Sequence, residues 1–103
     1  MKQHLYEVTV QHLADAQDNP STYSEALQFQ VGNHDDIFKI LEKLQASQLL
    51  DEESTKAFVI GLKLFSEVML ENKELPLFKE FLPQFAQFMK SLKQTVKAQS
   101  EEQ

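Results

Sequence analysis

Apolar residues change their period once along this chain, from two to helical. Over residues 4–12 they alternate: His4, Tyr6, Val8, Val10 and His12 fall on one side, Leu5, Glu7, Thr9 and Gln11 on the other. Such alternation, with β-branched and aromatic residues on one side, predicts a half-buried strand. Residues 25–31 alternate too, with Leu27, Phe29 and Val31 against Ala26, Gln28 and Gln30. Between them, Asp15 to Thr22 holds the turn-forming run Asp18-Asn19-Pro20-Ser21, which predicts an antiparallel hairpin with a long loop. Directly opposed residues share a face. The apolar sets therefore pair Val8 with Phe29, Tyr6 with Val31 and Val10 with Leu27, a two-residue shift preserving the same faces.

From residue 33 onward the period is helical. Gly32 ends the second strand, and Asn33 is the expected cap of a first helix, with Asp36 three residues on. Ile37, Ile40, Leu41 and Leu44 form its apolar face. Asp51 opens a second helix, with Glu52 and Glu53 in the first turn where the helix dipole favours negative charge. This helix runs to about Glu71. Ala57, Phe58, Gly61, Leu62, Leu64, Phe65, Val68 and Met69 form an arc wide enough for two neighbours. Gly61 in mid-helix costs about 1 kcal/mol relative to Ala, and close approach of another element would account for it.

Pro76 suits the first position of a third helix. That helix carries Phe78, Phe81, Leu82, Phe85, Phe88, Met89, Leu92 and Val96 in one stripe, expected to be core. Pro83 cannot donate to the carbonyl of Lys79 and its ring clashes there, so the helix is expected to be kinked or broken near Pro83. The polar residues 99–103 are expected to fray. These elements make an α+β fold: an N-terminal two-stranded antiparallel β-hairpin, about 3–32, packed on three α-helices, about 34–98, in a single domain over 1–103.

Composition narrows the function. The chain of 103 residues has ten basic side chains, all Lys, against sixteen acids, a net charge of −6. Arg is the preferred side chain for planar contact with phosphates and guanine edges, so no nucleic-acid partner is expected. With no Cys, disulfides, thiol chemistry and Cys-based zinc sites are excluded. Met1-Lys2-Gln3-His4 leads into the first strand without a long apolar stretch, so neither a signal peptide nor a spanning helix is expected. The expected location is the cytoplasm, without a membrane partner. Charge is lopsided, with six Lys against thirteen acids in residues 1–74 and four Lys against three acids beyond. Lys79, Lys90, Lys93 and Lys97 share one flank of the third helix, read as a solvated flank.

Four stretches resemble a family of small bacterial proteins of unknown function. They are His4-Leu5-Tyr6 leading into Val8-Thr9-Val10; Leu27-Gln28-Phe29 followed by Asn33-His34-Asp35-Asp36; Gly61-Leu62-Lys63-Leu64-Phe65 with Glu67-Val68; and Pro76-Leu77-Phe78 with Phe88-Met89-Lys90-Ser91-Leu92-Lys93. The likeness covers almost the whole chain. It implies a bacterial, cytoplasmic α+β domain and brings no activity, cofactor or partner with it.

Two groups of residues are candidates for chemistry. The hairpin register brings His4 beside Asn33 and His34, with Asp35 and Asp36 following; two imidazoles and two carboxylates suit a divalent metal or proton sharing. The ordinary reading is a capped helix start beside strand-end histidines, since no tight ligand spacing occurs. On helix 2, Lys56, Lys63, Glu67 and Glu71 form a polar stripe read as a solvated face with weak ion pairs. Val59, Ile60 and Leu70 project onto or beside it and are the candidate interaction residues. Ser21 and Ser54 lie in no nucleophile-elbow or phosphate-loop pattern.

No catalytic constellation and no cofactor follow from these residues. The expected function is a non-enzymatic protein-interaction module that binds another protein or itself. The alternative is a small ligand- or metal-binding domain, or enzyme, centred on His4, His34, Asp35 and Asp36. A two-stranded hairpin leaves both edges unpaired. A homodimer is therefore expected, through a continuous four-stranded sheet or through helix 2 against its symmetry mate.

Overall fold

The computed structural model describes residues 2–101 and contains a two-stranded antiparallel sheet followed by three helices, an α+β fold. The chain forms two compact units, residues 1–35 and 36–103.

In the first unit, β1 (His4–Val10) pairs with β2 (Leu27–Asn33). The register opposes Tyr6 to Val31, Val8 to Phe29 and Val10 to Leu27, as the alternation predicts, and places His4 opposite Asn33. On the polar face Gln28 Nε2 donates to Thr9 Oγ1 across the strands at 3.3 Å. At Gly32 an added Cβ would meet the side-chain amide of Gln3, the far end of a flexible side chain that can swing aside. The long connection is itself built: Ala14 and Pro20 form an antiparallel bridge, continuing the hairpin into an arm. At its tip Asp18 adopts the left-handed conformation, with φ 67°, which Asp tolerates better than most residues.

In the second unit, α1 (Ile37–Ser47) packs against both α2 (Glu52–Glu71) and α3 (Pro76–Glu101). Asp36, not Asn33, caps α1, accepting from the backbone N–H groups of Phe38 and Lys39 at 3.1 and 3.3 Å. Asn33 belongs to the strand, and its Oδ1 accepts from Asp35 N at 3.0 Å to turn the chain out of the sheet. Asp51 caps α2 as expected, accepting from Ser54 N at 2.7 Å.

The inward side of α2 differs from the expected arc. Its buried residues are Thr55, Val59, Ser66, Glu67 and Met69. Thr55 Oγ1 donates to the Asp51 carbonyl at 2.6 Å and Ser66 Oγ to the Lys63 carbonyl at 3.4 Å. Small hydroxyl side chains satisfied on their own helix can be buried at little cost, whereas an unpaired hydroxyl could not. Val59 is therefore core, 0 % exposed, and not part of a surface trio with Ile60 and Leu70, which keep 39 % each. Glu67 is buried as well, so the polar stripe of α2 is not a solvated face along its whole length.

Helices α2 and α3 run antiparallel and meet through rings. Phe58 stands edge-on to Phe88 with centroids 6.4 Å apart, and Phe65 edge-on to Phe78 and Phe81 at 6.3 and 6.2 Å. Gly61 is not a close-packing position within this chain, since a Cβ there would meet nothing within 4 Å. Along α3 only Val96 of the stripe is fully buried; Phe78, Leu82, Phe85, Met89 and Leu92 are half-buried, while Phe81 and Phe88 are exposed.

Pro83 does not break α3, which is helical from Pro76 to Glu101. Lys79 and Pro83 lie on an exposed side, so the carbonyl that loses its partner faces water. With its amide in the hydrogen-bonding orientation, Gln84 also donates to the carbonyls of Glu80 and Phe81 at 2.8 and 3.2 Å. The fraying expected over 99–103 does not start before Glu101, and residues 102 and 103 lie outside those described.

Met69 is wholly buried and Leu77 is 73 % exposed. In chemical denaturation Met69→Ala is expected to cost about 2–5 kcal/mol, and Leu77→Ala to stay within roughly 0.5 kcal/mol. Equal costs would contradict this division between core and surface.

Candidate functional site

The sequence candidates at the hairpin end are held by backbone demands. Tyr6 donates its hydroxyl to the Asp35 carbonyl at 3.0 Å, and the His4 ring stacks beside Tyr6 with centroids 6.2 Å apart. His34 Nε2 lies 3.6 Å from Asp35 Oδ2, both side chains open to water. The Asp36 carboxylate is committed to the N-terminus of α1. Among the described residues no three His, Cys, Asp or Glu side chains come together to hold a metal ion. His34 and Asp35 are thus neighbours side by side, His4 is a strand residue in register with Asn33, and Asp36 is a cap.

The arm of the hairpin contains two constellations that periodicity could not reveal. Asp15 Oδ1 accepts from the backbone N–H groups of Gln17 and Asn19, both at 2.9 Å, and its Oδ2 from Asn19 Nδ2 at 3.0 Å. These bonds, those of Asn19 first, hold the Asp15 carboxyl below the usual carboxylate range. Near the base of the arm His12 Nδ1 lies 2.7 Å from Ser21 Oγ, and the His12 ring meets Tyr23 edge-on at 5.2 Å. A Ser–His contact is the first element of a nucleophilic pair. Here both residues are open to water, and Ser21 Oγ already accepts from Tyr23 N at 3.1 Å. Among the described residues no carboxylate bonds to His12. The pair is a latch across the arm.

Within the helical unit, an open depression of about 460 Å³ is lined by Gln45, Gln48, Leu50, Asp51, Glu52 and Thr55 at the α1–α2 corner. Asp51 is occupied there as a cap, and its bond from Ser54 holds its carboxyl below the usual range. One turn on, hydrogen bonding to Glu53, then the charges of Glu53 and Glu52, raise the Lys56 ammonium above its ordinary value. These are surface ion pairs of little energetic weight. Lys79, Lys90, Lys93 and Lys97 are exposed on their own flank of α3.

The helical unit leaves a further apolar feature unexplained. Phe65, Val68, Phe81 and Phe88 leave 46, 48, 42 and 46 % of their surface in water, and Leu77 still more. Two ring contacts cross between the helices here, Phe65 with Phe81 and Phe58 with Phe88. Gly61 lies between Phe58 and Phe65 on the same side of α2, and Gln84 between Phe81 and Phe88 on α3. None of these positions is charged, although a quarter of the chain is. The pattern of the Phe stripe was legible, but reading it as core concealed this face.

Residues 4–94 match the family model described as a domain of unknown function with a solved structure, DUF3861. A protein of unknown function from Pectobacterium atrosepticum, whose crystal structure was determined at 2.20 Å, is 41 % identical to this chain. The match covers 90 % of this chain and 99 % of that one, with a TM-score of 0.77. No curated protein matches. No described helix is long and apolar enough to cross a membrane. The chain belongs to the DUF3861 family, as its resemblance to small bacterial proteins of unknown function implied.

Two measurements test this description. Asp15→Ala is expected to speed amide exchange at Gln17 and Asn19 without unfolding the helices. Because the Asp15 carboxyl is lowered in the folded arm, its contribution is complete above its ordinary value of 3.8 and is lost as pH falls through the lower folded value. Exchange at both amides should therefore stay slow at the ordinary value and quicken only below it. Saturating Zn²⁺, Ni²⁺ or Mn²⁺ is expected to leave Tm unchanged, whereas a ligand at a hundred times its Kd would add about 2.7 kcal/mol. A rise in Tm abolished by His34→Ala would establish a metal site at the hairpin end.

Proposed function

We propose that this member of a family without an assigned activity is a non-enzymatic protein-binding module that works through the α2–α3 face. One observation carries the reading: the apolar side chains of Phe65, Val68, Phe81 and Phe88, on two helices joined by ring contacts, are left nearly half in water. With rings of about 200 Å² each, the exposed fractions of the three Phe, Val68 and Leu77 amount to roughly 450 Å². That lies within the range of the largest patch on a typical monomer, a patch that is often functional. Half-exposed aromatic side chains bring a large contact area at a small entropic cost. Of the residues first expected to make contact, Ile60 and Leu70 lie on other sides of α2, and Val59 is core.

A photo-cross-linking side chain at position 68, expressed in the native host, is expected to join this 11.9 kDa chain to a protein on irradiation. The same group at position 97, on the lysine flank, is expected to give no adduct. Absence of an adduct at position 68, or equal labelling at both, would remove the α2–α3 face as a binding surface.

A further inference from the structure

We infer that the occupant of the α2–α3 face is a second copy of this chain, with α2 crossing its symmetry mate at Gly61. The inference rests on the reading of that face as a protein-binding surface and specifies its partner.

Three properties of the face favour a copy. The first is charge. Each chain carries a net −6, so two copies repel except where they meet without opposing like charges. Ala57, Gly61, Phe65 and Val68 on α2, with Phe81 and Phe88 on α3, provide such a surface. The second is shape. Gly61 leaves open space where any other residue would carry a Cβ, and Phe58 and Phe65 stand one helical turn to either side. A two-fold contact is self-complementary when one patch holds both projection and recess, which the rings of Phe58 and Phe65 and the gap at Gly61 between them provide. A glycine at the crossing also lets the helix backbones approach closely, since helix separation is set by the side chains at the contact. The third is area. The exposed apolar centre supplies roughly half of the ~800 Å² that each partner of a standard interface buries. Uncharged Ser54, Ala57 and Gln84 extend it in both directions.

Sedimentation equilibrium of the purified full chain tests this directly. The apparent mass is expected to rise from 11.9 kDa toward twice that value as concentration increases through the micromolar range. Gly61→Ala should move two readouts in opposite directions. In dilute solution the added methyl meets no neighbour and raises Tm, because Ala is the better helix former, whereas at the crossing it weakens self-association by ~10-fold or more. Val68→Lys is expected to abolish association with its far-UV circular dichroism intact, and Lys97→Glu to leave association unchanged. Dimerisation indifferent to Gly61→Ala and Val68→Lys would overturn the inference. So would a monomeric mass at every concentration. If position 68 then cross-links to a different protein, the binding face stands and only its occupant is wrong; if it cross-links to nothing, both fall.

Discussion

The burial of small hydroxyl side chains on α2, in place of rings, sets the architecture of the helical unit. Thr55 and Ser66 satisfy their hydroxyls on carbonyls one turn back and so share the inward side with Val59 and Met69. A helix side made of small groups and aliphatic chains packs densely. Phe58 and Phe65 are left to meet α3 through edge-on ring contacts. Three helices are too few to enclose those rings on every side, and Phe65, Phe81 and Phe88 remain about half in water. The open face thus follows from the choice of what α2 buries.

Much of the polar chemistry in the chain is spent on its own backbone. Asp36 and Asp51 receive the unpaired N–H groups at the starts of α1 and α2, Asn33 turns the chain out of β2, and Asp15 closes the tip of the arm. Helix starts expose N–H groups that need acceptors, and short carboxylates and amides reach them best. An acidic chain can therefore place aspartates at conspicuous positions without assembling a site. At the hairpin end His34 meets Asp35, and Asp36 caps a helix.

The uncharged face stands apart from that economy. A chain in which a quarter of residues are charged leaves the exposed rings of α2 and α3 without a single charge among them. Gly61 costs the helix about 1 kcal/mol relative to Ala, and among the described residues a Cβ there would meet nothing within 4 Å.

Local rules in the sequence determined the elements and the strand register. Period two, and the requirement that apolar residues oppose one another, were enough to pair Val8 with Phe29. Asp51 and Pro76 marked helix starts because capping and the fixed φ of proline act within one turn. Only the tertiary structure decided which side of α2 faces inward. Hydroxyls are acceptable on either side, and an apolar arc covering half the circumference leaves the direction open, so Val59 read as surface and Phe65 as core. Pairing of His4 with Asn33 drew Asn33 into the sheet and passed the cap to Asp36. The contact of His12 with Ser21 depends on how the arm continues beyond β1, which no spacing encodes. Whether Pro83 broke α3 turned on the side of the helix that carries it: the carbonyl it deprives faces water, which supplies the bond that the proline cannot.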